Sequence, residues 1–370
     1  MSSPLLINTS IYTIGRIIPQ AAGFILLPLY TRFLTPADYG LVSAMQVLSS
    51  ILVILFSLTI QGSIYRLYFD YKEENEKRDF LGTVSISLVI ISVSVLILLF
   101  LFKGYVGKIY NEISFYPFYA YAIFTAFFSI YRMIPLIYFQ INEKPKKFIF
   151  TSILHFLLSS IFILWFIIEK EEGAIGMLKG QLLSGILVLP IFLYINYKIM
   201  NFKFKVEILK DCLSYSLPTI PHVIAGWILD LSDRIFIERY YALADVGMYS
   251  IACKIGNLLL VISGAFRKAY MPYFYRLALD DNQTEVKKTL YFLNNNYLLL
   301  MMLGAFLLAL FSKEAILVLL DPQYHEAYKF VPIIVFSSFI VVSTGIINIS
   351  ITFQKKTLEI MYMALSCSLI

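Results

Sequence analysis

Stretches of about 20 predominantly apolar residues recur along this chain, long enough to cross a bilayer as helices, with short polar loops between them. Hydrophobic residues make up 59% of the 370 residues and charged residues only 15%. That is more apolar surface than a water-soluble domain can hide. The pattern therefore predicts an all-α polytopic membrane protein. We expect spans at residues 5–34, 41–66, 81–102, 117–140, 148–168, 174–197, 213–240, 246–271, 288–311 and 329–353, with an eleventh beginning near Leu358.

Basic residues alternate in density from one loop to the next. The more basic set of loops carries Lys and Arg clusters within residues 72–78, 144–147, 198–210, 276–288 and 355–356. Cytoplasmic loops of membrane proteins carry an excess of Lys and Arg. We therefore expect these loops and the N-terminus to be cytoplasmic.

An internal repeat relates two of the less basic connections. Residues 32–43 align with residues 239–250 at a constant offset of 207, with matching Arg, Ala, Asp, Gly and Ser. Each segment contains Asp-x-Gly, which favours a tight turn because glycine tolerates left-handed backbone and aspartate can bond the following amides. We expect equivalent turns at Asp38 and Gly40 and at Asp245 and Gly247.

A repeat of six spans gives two halves of the same orientation, an arrangement typical of transporters with a central site between the halves. We expect an N-terminal six-helix bundle at residues 1–206 and a C-terminal bundle at residues 207–370. The second half contains only 370 − 206 = 164 residues. We therefore expect the C-terminal bundle to be incomplete, with about eleven spans present in a truncated chain.

Two segments carry a family resemblance. Residues 28–40 read Pro-Leu-Tyr-Thr-Arg-Phe-Leu-Thr-Pro-Ala-Asp-Tyr-Gly, and residues 233–239 read Asp-Arg-Ile-Phe-Ile-Glu-Arg, followed by Asp-Val-Gly-Met-Tyr-Ser-Ile-Ala at residues 245–252. These segments and the order of the helices resemble the polysaccharide-exporter, or O-antigen-type, flippases. Those proteins belong to the multidrug, oligosaccharidyl-lipid and polysaccharide (MOP) exporter superfamily.

The resemblance implies two six-helix bundles around a central cavity. It implies translocation of undecaprenyl-pyrophosphate-linked oligosaccharides across the cytoplasmic (inner) membrane for polysaccharide biosynthesis. The implied partners are the lipid-linked oligosaccharide, membrane lipids, a coupling ion (H⁺ or Na⁺), and glycan polymerase and chain-length proteins. No cofactor, metal or nucleic acid is expected.

Cationic residues within the predicted spans are the candidate substrate contacts. Ionisable groups are costly in a membrane and usually face a wet cavity. Arginine offers a planar fork for phosphate oxygens and lysine a compact charge, so a cationic cavity suits a pyrophosphate. Arg16 lies near the middle of the first span and is the foremost candidate. The full set is Arg16, Arg132, Lys179 and Lys254.

The seventh predicted span carries charges of both signs. Asp230 and Arg234 are four residues apart and therefore share one helix face. This spacing predicts an intrahelical ion pair, and Asp233 with Arg234 could also form part of an outer gate. The two interpretations are compatible.

Prolines mark the start of the same span. Pro218 and Pro221 each remove a backbone donor and predict a helix kink. His222 follows directly and is weighed as a packing residue against a proton relay. Broken helices are common where transporters bend or bind.

The sequence lacks the motifs of the main enzyme classes. It has no Walker A, GxSxG or HExxH pattern, and its three cysteines are widely spaced, which disfavours a metal site or a disulfide framework. We therefore expect no enzyme activity. The alternatives left open are an ion-coupled multidrug or cation antiporter of the same superfamily, a membrane glycan polymerase, and a scaffold of a glycan assembly complex.

Overall fold

The computed structural model describes residues 23–110, 112–277 and 283–353. Every regular element in these residues is helical, which confirms the predicted all-α fold class. Eight of the described helices are long and apolar enough to cross a membrane, and a helix pair bent by 50° brings the number to nine. The chain is thus a multi-pass membrane protein. Nine predicted spans coincide with described helices; most of the first span and all of the eleventh lie outside the described residues.

The helices are numbered here in chain order. Up to the repeat boundary they are α1 Leu27–Phe33, α2 Pro36–Ser57, α3 Ile60–Leu67, α4 Glu74–Leu101, α5 Phe115–Ile141, α6 Pro145–Glu169 and α7 Gly173–Ile199. Beyond it they are α8 Val206–Leu231, α9 Asp233–Tyr240, α10 Leu243–Gly256, α11 Leu258–Leu277, α12 Gln283–Leu310, α13 Ser312–Leu319 and α14 Val331–Phe353.

Contacts within the chain define two compact units. One contains residues 33–246, and the other contains residues 24–32 and those from Gly247 onward. Helix α8 packs inside the first unit, where the Trp227 indole N–H donates to the Ser50 hydroxyl on α2 at 2.8 Å. The division at residues 1–206 and 207–370 follows the repeat instead of the contacts, and it remains a prediction.

Two interrupted helices meet in the first unit. Helix α2 ends at Ser57 and is followed by Leu58 and Thr59, whose φ angles of 45° and 56° are left-handed. In α8 the Ile220 amide bonds to the Leu217 carbonyl in a 3-10 turn, so the Ser216 carbonyl lacks its usual helical donor. The Thr219 hydroxyl of the same turn donates to that carbonyl at 2.7 Å, and the Thr59 hydroxyl donates to it at 3.0 Å. The break after α2 therefore adds a second donor to the backbone that the turn in α8 exposes.

Two prolines lie at the turn in α8. Pro218 lies inside the 3-10 segment Leu217–Thr219, and Pro221 lies in the first turn of the α-helical part that follows. His222 is exposed on that part. The roles proposed for these residues in bending remain predictions.

The repeated segments form equivalent helix starts. Helices α2 and α10 begin at Pro36 and Leu243, and 243 − 36 = 207. The Asp38 carboxylate accepts from the Thr35 amide at 3.1 Å, and the Asp245 carboxylate accepts from the Ala242 amide at 3.1 Å. These acceptors bond the amide three residues before them, as in a capping box.

The expected turn conformation of the two repeat glycines is wrong. Gly40 and Gly247 lie inside α2 and α10, and among the described glycines only Gly173 has a positive φ. The Asp-x-Gly pattern resembles a turn because both residues are common in turns. Here the turn precedes the aspartate, and the glycine belongs to the second helical turn.

Only the first helix start has a complete capping box, since the Thr35 hydroxyl also accepts from the Asp38 amide. We expect Thr35→Ala to lower the free energy of unfolding by about 1 kcal/mol, the usual cost of a lost N-cap. Ala242→Thr supplies the missing hydroxyl and should raise stability by a similar or smaller amount. Thermal melting of the purified variants checks this. Equal melting temperatures for Thr35→Ala and the wild type would contradict the assignment.

The linker of residues 200–205, between α7 and α8, is fixed to the start of α4. The Asn201 amide donates to the Arg78 carbonyl at 3.0 Å, and its side chain donates to the Asp79 carboxylate at 2.8 Å. The Lys205 ammonium lies 2.9 Å from the same buried carboxylate. The Lys205 amide also donates to the Thr83 hydroxyl at 3.2 Å. The start of α8 is thereby held against the first unit.

Candidate functional site

Helix α5 changes its winding at the point where Arg132 lies. Pro135 has no N–H, so it cannot bond the carbonyl of Tyr131 one turn earlier. The Asn196 side chain on α7 donates to that carbonyl at 3.2 Å. Residues Ile130–Arg132 form a 3-10 turn just before the proline. Arg132 is thus the last residue of the altered turn.

The Arg132 guanidinium is partnered by a histidine. Arg132 Nη1 lies 3.1 Å from His155 Nδ1 on α6. A guanidinium can only donate, so His155 Nδ1 must be the acceptor and the ring must be neutral, with its proton on Nε2. No carboxylate in the described part of the chain forms an ion pair with Arg132.

Chain topology brings Arg132 and His155 to the same depth. Helices α5 and α6 form a hairpin whose turn includes Glu143, a residue with a positive φ of 49°. Arg132 precedes this residue by 143 − 132 = 11 positions, and His155 follows it by 155 − 143 = 12 positions. This symmetry about the hairpin turn was available in the sequence and would have paired the two residues.

Small residues fix α6 against α7 beside the pair. A side chain at Gly180 would place its Cβ 2.6 Å from the Ile163 nitrogen, and at Gly176 3.1 Å from the Phe166 side chain. The two glycines are four residues apart, a spacing that lets membrane helices approach closely. The next position after Gly180 is Gln181, which faces the same space as His155.

Two cavities share Arg132 and Ser129. The histidine cavity has a volume of about 260 Å³ and the glutamine cavity about 430 Å³. The histidine cavity is lined by Thr125, Phe128, Ser129, Arg132, His155, Ser159, Gln181, Gly185, Leu189 and Phe192. The glutamine cavity is lined by Val53, Gln61, Tyr65, Ser129, Arg132, Met133, Leu136, Ile137, Gln140 and Phe148.

Each cavity contains a buried polar atom that has no hydrogen-bond partner in the described structure. These atoms are the Thr125 hydroxyl in the histidine cavity and the Gln61 side-chain oxygen in the glutamine cavity. Buried polar groups are normally satisfied, so each unpartnered atom indicates water or a ligand. Neither cavity is lined by an Asp or Glu side chain.

This arrangement favours an anion. An arginine in a membrane span without a carboxylate keeps its full charge facing the cavities, and its planar donors match phosphate oxygens in pairs. Hydroxyl and amide groups around it can add hydrogen bonds. In the described residues, no group of three His, Cys, Asp or Glu side chains is placed to hold a metal ion.

The other predicted substrate contacts have different surroundings. Lys179 on α7 lies 2.8 Å from the Glu172 carboxylate, so its charge is already balanced. Lys254 is exposed on α10, in the second unit. Arg16 lies outside the described residues. The substrate roles of all three stay predictions.

The charged residues of the seventh predicted span gather near the end of α8. The buried Arg234 donates to the Asp233 carboxylate at 2.7 Å and to the main-chain carbonyl of Asp230 at 3.0 Å. Glu238, one turn further, is also buried and accepts from the Glu112 amide at 2.9 Å. Sequence reasoning missed Glu238, because a glutamate at a span end is normally a solvated residue. The gate role of Asp233 and Arg234 stays a prediction.

Comparisons with known proteins found a matching family model and similar bacterial proteins. A family model described as "Polysaccharide biosynthesis protein" matches residues 5–278. Protein 1 of the Lsg locus of Haemophilus influenzae is 24% identical over 295 residues, which cover 76% of this chain and 68% of that protein. A membrane protein of the same bacterium is 26% identical over 73% of this chain and 65% of its own length. The chain thus spans about two thirds of the length of these relatives.

Solved structures share the fold at low sequence identity. An inward-facing multidrug resistance MATE family transporter of the MOP superfamily matches with a TM-score of 0.69 at 14% identity, covering 98% of this chain and 84% of that one. The MATE multidrug transporter DinF-BH matches with a TM-score of 0.62 at 13% identity, covering 100% of this chain and 87% of that one. At such identity the likeness shows the fold alone.

Proposed function

This chain belongs to the polysaccharide biosynthesis protein family, and on that premise we propose that it is a flippase. Its substrate would be an undecaprenyl-pyrophosphate-linked oligosaccharide, moved from the cytoplasmic to the outer leaflet of the cytoplasmic membrane. The single observation that carries this proposal is Arg132. Its guanidinium lies in a membrane span, lines two cavities and has no carboxylate partner in the described residues.

The energetics of membrane burial support an anionic substrate. An arginine at the centre of a membrane helix costs at least about 2.5 kcal/mol, so a retained one usually serves a ligand pathway. A carboxylate partner would offset that cost but would also cancel the attraction for phosphate. The neutral histidine leaves the charge of Arg132 uncompensated.

A multidrug or cation antiporter is the second candidate, because the fold is that of the MATE transporters. Cationic drugs need acidic groups in the cavity. The two cavities around Arg132 are lined by no Asp or Glu, while the guanidinium would repel a cation. This observation favours the flippase.

The proposal also includes the expectations of orientation and partners. The N-terminus would be cytoplasmic, and Arg16 and Lys254 would add cationic contacts along the path of the substrate. Glycan polymerase and chain-length proteins would act on the product after it reaches the outer leaflet. A coupling ion, H⁺ or Na⁺, completes the proposed cycle.

Genetic complementation tests the proposal. The protein is expressed in bacteria that lack their own flippase, and surface glycan is scored with a glycan-specific antibody or lectin. Restoration of surface glycan in at least one glycan background supports the proposal. Resistance to cationic dyes without surface glycan in any background would support the antiporter instead.

A further inference from the structure

The hydrogen bond between Arg132 and His155 ties the charge of one residue to that of the other. In the described structure the imidazole accepts through Nδ1, which is possible only while that nitrogen carries no proton. Taking up a proton at Nδ1 would break this bond and place two cationic donors side by side. Such a state is unfavourable unless a third group of opposite charge joins them.

An oxyanion is the group that fits. Its oxygens can accept from the guanidinium and from the newly formed imidazolium N–H at the same time. The histidine cavity adds Ser129, Ser159 and the unpartnered Thr125 hydroxyl to the wall beside this pair. We propose that Arg132 and His155 form a site that binds a phosphate-type oxyanion and a proton together.

The volume of the cavity limits what can enter it. A single water needs about 10–15 Å³ of such volume, and this cavity offers about 260 Å³, so a tetrahedral oxyanion fits. The cavity is smaller than the ~300–1,000 Å³ of pockets that hold drug-sized ligands. Because this inference rests on the proposed flippase function, the phosphate group next to the lipid would enter, and the sugars would stay outside.

No other charged group competes for His155 in the described structure. From α5 only Arg132 reaches it, and the α7 residues of the histidine cavity are all uncharged. The nearest charged residue on α7 is Lys179, which is ion-paired with Glu172. On α6 itself the nearest charges are Lys147 and Glu169, at least two turns away. Protonation of His155 is thus governed by Arg132 and by whatever anion lies between them.

Thermodynamic linkage between the proton and the oxyanion gives the direction in which pH changes the affinity for the oxyanion. If the oxyanion binds the protonated site more tightly, bound oxyanion must in turn favour protonation of His155. Anion affinity therefore rises as pH falls.

Nuclear magnetic resonance of histidine-labelled protein in nanodiscs tests the linkage. The probe is inorganic sulfate, an oxyanion that keeps its charge throughout the range in which histidine titrates. We expect saturating sulfate to raise the titration midpoint of His155 by about one pH unit, equivalent to tenfold tighter sulfate binding by the protonated site. The signal is assigned by its loss in His155→Gln, and the exposed His222 is the internal control.

Arg132→Gln should abolish the effect of sulfate on His155. An unchanged midpoint in the wild type, or a His155 that stays neutral throughout with sulfate present, would overturn the proposal. His155→Gln, which keeps a neutral acceptor for Arg132, should bind sulfate with an affinity that no longer rises as pH falls. If transport needs Arg132 but His155 ignores sulfate, the flippase function stands and this inference fails. If sulfate shifts His155 but no glycan is exported, the site stands and the flippase function fails.

Discussion

We expect Arg132→Gln to lower the export of lipid-linked glycan by at least ~10-fold while the protein accumulates to normal levels. A hydrogen bond to a charged group contributes about 1.5–3 kcal/mol, which corresponds to ~10- to 100-fold in affinity. Glutamine retains one amide donor group on a shorter side chain and carries no charge. The measurement is surface glycan per cell in the flippase-deficient background, normalised to the amount of protein in the membrane.

Two further variants sharpen this result. Arg132→Lys keeps the charge and loses the planar fork, so an intermediate level of export is expected. Arg66→Gln is the matched control, since Arg66 is exposed on α3, is paired with Asp70 at 2.5 Å and lines neither cavity. Export by Arg66→Gln should equal that of the wild type. Normal export by Arg132→Gln would remove Arg132 from the transport path.

Gly82→Ala should be the most destabilising small substitution in the first unit. A Cβ at Gly82 would lie 1.8 Å from the main-chain oxygen of Asn201 and 2.9 Å from its carbon. The Asn201 carbonyl cannot shift easily, because Asn201 donates hydrogen bonds to the Arg78 carbonyl and to the Asp79 carboxylate. Forced overpacking costs typically about 1–3 kcal/mol. We expect a clear fall in melting temperature and in yield from the membrane.

The control for this prediction is Gly226→Ala. Gly226 lies inside α8, and a Cβ there would meet nothing within 4 Å. Alanine is the better helix former by up to about 1 kcal/mol, so this variant should melt at or above the wild-type temperature. A Gly82→Ala protein as stable as Gly226→Ala would show that the α7–α8 linker is not tightly held to α4.

The all-α fold class could be predicted from the long apolar stretches, because a membrane restricts the structures that such stretches can adopt. Every backbone polar group in lipid must be bonded within the chain, so a long apolar stretch has few structures other than a helix. Boundaries were less accurate. Helix α4 begins at Glu74, seven residues before the predicted span at residue 81. Because its first turns are polar, a search for apolar stretches does not detect them.

Breaks within helices were only partly visible in the sequence. Pro218 and Pro221 indicated the turn in α8, because proline removes a donor wherever it occurs. The break after α2 has no such mark, since Leu58 and Thr59 are ordinary residues in left-handed backbone. That conformation is held by tertiary contacts, among them the Thr59 hydrogen bond to α8. Local sequence carries no record of such contacts.

At the candidate site, too, some features were visible in the sequence and others depend on contacts between helices. Arg132 was found because an intramembrane cation is conspicuous by its cost. His155 was not among the sequence candidates, because a single histidine in a span is usually a packing residue, and its contact with Arg132 comes from another helix. Lys179 looked equivalent to Arg132 along the sequence, yet Glu172 balances its charge in the fold. Pairing in space, more than residue type, separates the two cations.

Reconstituted transport tests the central claim most directly. The purified protein is placed in liposomes that carry a fluorescent polyprenyl-pyrophosphate-linked oligosaccharide in both leaflets, and a membrane-impermeant glycosidase is added outside. We predict that the enzyme reaches the glycan of both leaflets in the presence of the protein, and only the outer leaflet in its absence or with Arg132→Gln. A glycan pool of the inner leaflet that stays protected despite correctly folded protein would contradict the account.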